Sequence, residues 1–184
     1  MAFGKRAAFF FTALLLISIP AGAADYTIGP GDQLGIEVWK DAALTRTVTV
    51  LPDGKISFPL IGELEAGGKT VAQLKKEIEQ KIARYVPDST TTVEVRQINS
   101  LHIYVLGRVN TPGRFILSSK VTVLQALAIA GGPNTYANRK QIRIFREKGG
   151  VTTMSPLFNY DEVTAGHGIE TNVLLERGDL IFVP

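Results

Sequence analysis

The chain has 184 residues, 45% of them hydrophobic and 20% charged, a globular composition of a size for one ordinary domain or two small ones. A net charge of +3, from 20 basic and 17 acidic residues without a basic block, argues against a nucleic-acid partner. The absence of cysteine excludes disulfides, thiolate metal sites, a cysteine nucleophile and the lipidated cysteine of a bacterial lipoprotein.

Lys5 and Arg6 precede an apolar run of 13 residues, Ala7 to Ile19, and Ala21-Gly22-Ala23 follows Pro20. The run is shorter than the roughly 18 residues needed to span hydrocarbon. This is the layout of a cleavable secretory signal over residues 1–24, cut after Ala23 or Ala24. Loss of Lys5 and Arg6 leaves 18 basic against 17 acidic residues, a net +1. A processed chain with no lipid anchor and no second hydrophobic span is expected in the periplasm of a two-membrane bacterium, associated with the cell envelope.

In the mature chain Leu34, Ile36 and Val38 alternate with Gly35, Glu37 and Trp39 as in a strand. Val48 and Val50, the turn Pro52-Asp53-Gly54, then Ile56 and Phe58 predict a hairpin over 46–58. A helix is predicted from Thr70 to Tyr85, with Thr70 and Gln73 as capping box and Val71, Leu74, Ile78, Ile82 and Tyr85 as apolar stripe. Pro87 ends it, and a strand with Val93 and Val95 inward follows.

Asn99 and Ser100 mark a seam between residues 25–98 and 99–184. Beyond it, Leu101 to Leu106 reads as a strand, Gly107 interrupts, Pro112-Gly113 turns the chain, and Phe115 and Leu117 begin the return. Thr122 and Gln125 repeat the capping-box spacing, and Val121 and Ala126 are placed for a hydrophobic staple. The helix they open is apolar enough to be buried on most sides, and Gly131-Gly132-Pro133 stops it. Ile142 and Ile144 alternate with Arg143 and Phe145, and Gly149-Gly150 marks a hairpin. Gly178-Asp179 feeds a last apolar strand, echoing Gly31-Asp32. Hairpin-linked strands with one capped helix in each half predict an α+β fold with small mixed sheets, not a doubly wound one.

Tyr26 to Leu34 and Pro52 to Gly62, with the helix opening at Thr70, resemble the polysaccharide export domain of outer-membrane polysaccharide export proteins. Val105 to Val109 with Pro112-Gly113, Thr122 to Gly132, and Gly178 to Pro184 resemble a soluble-ligand-binding β-grasp (SLBB) domain. The ordered set of segments covers nearly the whole mature chain and is similar to short members of that family. The resemblance implies a small mixed-sheet export domain followed by a β-grasp-like domain. It further implies a subunit of a homo-oligomeric ring that guides capsular or exopolysaccharide outward. The partners implied are an inner-membrane chain-length regulator or copolymerase and a separate outer-membrane β-barrel protein, since the sequence stops at Pro184 without the pore helix of longer members. A monomeric periplasmic glycan-binding module is the alternative.

His102 and His167 lie apart, and Gly131-Gly132 ends a helix where a phosphate loop would open one, so no catalytic, cofactor or metal residues are assigned and no enzyme is expected. Gly31, Asp32, Asp53, Gly54, Gly62, Gly107, Pro112, Gly113, Gly131, Gly132, Gly178 and Asp179 are read as turn chemistry. Candidate contacts to glycan or a neighbouring subunit are the basic cluster Arg139, Lys140, Arg143 and Arg146, with Tyr104 and Tyr136, and also Trp39 and Tyr160, as rings on which a sugar could stack or which pack in the core or an interface.

Overall fold

The computed structural model describes residues 26–39 and 41–184. The expected signal segment and its cleavage point lie outside the described residues.

In the first half, β1 (Gln33–Val38) is the centre of an antiparallel sheet, between β2 (Arg46–Thr49) and β5 (Thr91–Gln97). Its alternation places Leu34, Ile36 and Val38 in one core with Leu74, Ile78 and Ile82 of α1 (Val71–Ile82). A separate two-stranded ribbon pairs β3 (Lys55–Phe58) with β4 (Gly62–Glu65) and buries Ile56, Phe58 and Leu64 in the same core.

The hairpin expected over 46–58 is not what forms. Pro52-Asp53-Gly54 does turn the chain, Gly54 donating to Leu51 O at 2.9 Å and Leu51 to Lys55 O at 2.8 Å. Beyond it the strands part, β2 pairing with β1 (Val48 opposite Leu34) and β3 with β4. Alternation selects a face, not a partner, and both partners of this turn found other strands. Helix α1 also ends sooner than expected, at Ile82, and Tyr85 is exposed. The amides of Tyr85 and Val86 both turn back to Ile82 O, so Val86, not Tyr85, packs on the core.

The second half is a five-stranded sheet in the order β7-β6-β10-β8-β9, from β6 (His102–Gly107), β7 (Gly113–Ile116), β8 (Arg143–Lys148), β9 (Val151–Met154) and β10 (Leu180–Val183). Strand β10 lies parallel to β6 and antiparallel to β8, so the sheet is mixed and the fold α+β. Pro112 precedes β7 and Gly113 is its first residue, so the turn is made just before them. Gly107 ends β6 opposite Val183 at a φ of +94°, and a Cβ on it would stand 2.0 Å from Val183 O, so the position requires glycine.

One face of this sheet packs Ile103, Val105, Ile144, Ile181 and Val183 against α2 (Val123–Ile129). Thr122 caps α2 through both halves of a capping box, as Thr70 caps α1. Gly132 donates to Leu127 O and Gly131 to Ala128 O, which satisfies the last carbonyls. Only Val123, Ala126, Leu127 and Ala130 are fully covered; Ala128 and Ile129 face solvent, so α2 is one-sided and not buried all round. A short helix α3 (Tyr160–Thr164), capped by Asn159, and a single 3₁₀ turn (Ile169–Thr171) complete the half; neither has enough apolar periodicity to be read in advance. Among the described residues no helix is long and apolar enough to cross a membrane.

Candidate functional site

Two turns of the same design sit where the halves meet. Gly29-Pro30-Gly31-Asp32 and Glu176-Arg177-Gly178-Asp179 each close with a backbone bond from the Asp amide to the carbonyl three residues back, at 3.1 and 3.2 Å. In each the third residue is a glycine at positive φ, +91° for Gly31 and +83° for Gly178, as a type II turn requires. In each the Asp side chain accepts from the first residue's amide at 2.8 Å. Both carboxylates are fully buried.

What each carboxylate does next differs. Asp32 Oδ1 accepts the amides of Asn99 at 3.0 Å and Ser100 at 2.8 Å, in the segment between β5 and β6. Its Oδ2 accepts from Ser100 Oγ at 3.0 Å and from the Tyr26 hydroxyl. Burial alone would raise the Asp32 pKa, but the bonds from Tyr26, Gly29 and Ser100 outweigh it and hold the carboxyl below its usual range. Burial, then the adjacent Asp32, pushes the Tyr26 hydroxyl up to about 12. At neutral pH the pair is therefore a carboxylate and a protonated phenol. Asn99 Nδ2 adds a bond to Gly31 O at 2.9 Å, and Arg177 reaches back to Thr27 O at 3.1 Å while lying against Gly29. The halves are thus joined turn to turn.

Asp179 instead takes a bidentate pair from Arg146, Nε to Oδ1 at 2.8 Å and the terminal nitrogen to Oδ2 at 2.6 Å. Arg146 also binds Glu176 at 2.7 Å and Leu174 O at 3.1 Å. The bond to Asp179 raises the already high guanidinium pKa further.

The basic cluster seen in the sequence therefore divides. Arg146 is half-buried and holds the second turn. Arg139 pairs with Asp161 at 2.8 Å and lies over the Tyr160 ring, 4.9 Å from its centroid. Lys140 is exposed in the loop before β8, and Arg143 is exposed on the sheet. Tyr136 stands 78% exposed in the loop after α2, and Tyr104 is exposed on β6. The register brings together a different group, on the sheet face opposite α2. Arg114, Tyr104, Leu180, Phe145 and Met154 lie in one row across the five strands, with Leu106, Phe182 and Arg143 in the next. Tyr104 also meets the His102 ring edge to face at 5.4 Å. This face shows arginines beside aromatic rings, a chemistry suited to sugar or to a protein neighbour. The sequence signal for it was apolar residues at both parities of Leu180–Val183.

Among the described residues no three His, Cys, Asp or Glu side chains are grouped as metal ligands would be. Of the buried polar residues there, Asp32 and Asp179 belong to the two turns, Ser100 bonds Asp32 from the segment before β6, and Thr91 opens β5.

A family model described as polysaccharide biosynthesis/export protein matches residues 20–96, and one described as SLBB domain matches residues 101–183. The EPS I polysaccharide export outer membrane protein EpsA of Ralstonia nicotianae is 32% identical over 89% of this chain and 48% of its own length. The exopolysaccharide production protein ExoF of Rhizobium meliloti is 32% identical over 70% of this chain and 35% of its own. The capsule polysaccharide export outer membrane protein CtrA of Neisseria meningitidis serogroup A is 25% identical over 86% of this chain and 44% of its own. The chain spans about half the length of the EpsA proteins it matches.

Proposed function

The chain belongs to the polysaccharide export protein family, with an export domain followed by an SLBB domain, and from that premise we propose that it is a non-enzymatic subunit of a conduit carrying exopolysaccharide or capsule outward through the periplasm. The observation that carries the reading is the order of the two matched domains together with the use of the buried carboxylates. Asp32 and Asp179 satisfy turns and the joint between halves, and neither is presented to a substrate. A conduit subunit needs a stiff frame and exposed contact faces, which is what these bonds and the open sheet face supply. In this reading residues 25–98 and 99–184 are the two working units, and residues 1–24 direct the chain across the inner membrane.

The subunit is proposed to act as a ring beside an inner-membrane copolymerase and an outer-membrane β-barrel protein. A ring needs two different surfaces on each subunit that fit one another. In this reading the row of exposed Tyr104 and partly exposed Leu180 and Phe145 on the sheet serves as one such surface. Deleting the gene is expected to remove polysaccharide from the cell surface while washed membranes still polymerise it in vitro. Loss of polymerisation, restored by adding the purified protein, would favour an enzyme. Cross-linking in cells followed by native mass spectrometry is expected to give homo-oligomers joined to a membrane protein; monomer at every cross-linker dose would favour the lone glycan-binding module.

A further inference from the structure

Trp39 is the single tryptophan of the chain, and it stands 67% exposed at the end of β1. A large aromatic ring is usually well covered, so one left in water is informative. It lines an open hollow of about 380 Å³ with Glu37, Val38, Asp41, Ala42, Thr45 and Thr92. The hollow is apart from both turns and from the open sheet face.

The hollow is held in shape by backbone bonds. Trp39 N donates to Thr90 O at 2.8 Å, which ties the ring's backbone to the start of β5. Glu37 lies opposite Thr92 in the β1–β5 register. The loop Asp41–Thr45 is folded back by Leu44 N to Asp41 O at 3.2 Å and by Val38 N to Thr45 Oγ1 at 3.3 Å. Leu44 anchors it by sinking into the core. Asp41 Oδ1 accepts from the Ala43 amide at 3.0 Å, which orients its carboxylate. A site preformed in this way loses little entropy on binding.

We infer that the Trp39 hollow is a sugar-binding site for the polymer the protein helps to export; the inference rests on the proposed function. The indole offers a flat apolar face that fits the C–H face of a pyranose ring. Asp41 and Glu37, the latter also paired with Arg96 at 3.5 Å, supply acceptors for sugar hydroxyl donors, and the Thr92 hydroxyl can donate or accept, while the Thr45 hydroxyl is taken up by Val38 N and Asp41 O. A ring in an apolar contact, edged by a few placed polar groups, is the usual make-up of a small-ligand site.

Because Trp39 is the only tryptophan, its fluorescence reports the site directly. The purified protein would be titrated with oligosaccharides made by partial hydrolysis of the polysaccharide from the cells that produce it. A saturable change in emission is expected, weakened at least tenfold in a variant carrying Glu37→Gln and Asp41→Asn. Calorimetry should show binding lost in Trp39→Ala, with circular dichroism unchanged because the ring is outside the core. A flat titration, or one that the Glu37 and Asp41 changes leave intact, overturns the site. Export lost in Trp39→Ala cells with a flat titration also overturns it, in favour of a protein partner docking on the indole. The gene deletion separates the two readings. If surface polysaccharide is unaffected by deletion yet the titration saturates, the export function falls and the sugar site stands. The reverse pair of results removes the site and leaves the export function.

Discussion

Asp32 and Asp179 stand in the same turn, yet one faces neutral donors from another part of the chain and the other faces a guanidinium. Asn in place of Asp32 keeps the shape but turns an amide N–H₂ toward amides and hydroxyls that also donate. Asp32→Asn is expected to cost about 3 kcal/mol in urea unfolding, the penalty of leaving buried donors unmatched beside a lost charge. The pH dependence follows from the lowered pKa of Asp32. Its contribution is complete above the unfolded value of about 3.9 and is lost as pH falls through the lower native value. Acid unfolding should therefore be less steep in Asp32→Asn below about pH 4. Arg146→Met leaves Asp179 buried without its cation and should cost about 3–5 kcal/mol, part of which Asp179→Asn in the same chain should restore. Gly31-Asp32 and Gly178-Asp179 were legible as turns, because that chemistry lies within four residues. That the second oxygen of Asp32 reaches Asn99 and Ser100 was not, since those donors are some 67 positions away.

At the level of elements, what the sequence shows most clearly is local. Both capping boxes and the Gly149-Gly150 hairpin were readable because each is decided within a few residues. Thr122→Ala is expected to cost about 1 kcal/mol, and thermal melts should resolve it because α2 is short. Strand partners were less legible. Nothing in Val48 or Ile56 says that one pairs with β1 and the other with β4, and nothing in Leu180 to Val183 says that it lies parallel to β6. Gly107 is the residue that admits that parallel crossing. Gly107→Ala brings a methyl against the Val183 carbonyl at a positive φ, and should lower the melting temperature more than Gly113→Ala in the same sheet, where an added methyl meets nothing. The candidate contacts divided for the same reason: Arg139, Arg143 and Arg146 are close in sequence, but strand alternation and tertiary ion pairs send them to different places.

For the whole molecule, two separate hydrophobic cores are joined through Asp32, Asn99, Ser100 and Arg177. Each core is small, so each gains from the other's support. The wild-type protein is expected to unfold in a single calorimetric transition, and Asp32→Ala, which removes the acceptor altogether, to unfold in two. A single transition in both would place the coupling elsewhere. The position of β10 has a further consequence, for the order in which the molecule assembles. This strand is the middle of the five-stranded sheet, yet it follows both of its neighbours along the chain. Until it is synthesised, the β6–β7 and β8–β9 hairpins can form only as two pieces, each with one inner edge unpaired. Closing the sheet then requires contacts between residues as distant as Tyr104 and Leu180, a slow step with a long loop to bring together. The nascent second half is therefore a chain with sticky edges and no finished core, which must be kept from pairing with its neighbours until its last strand arrives.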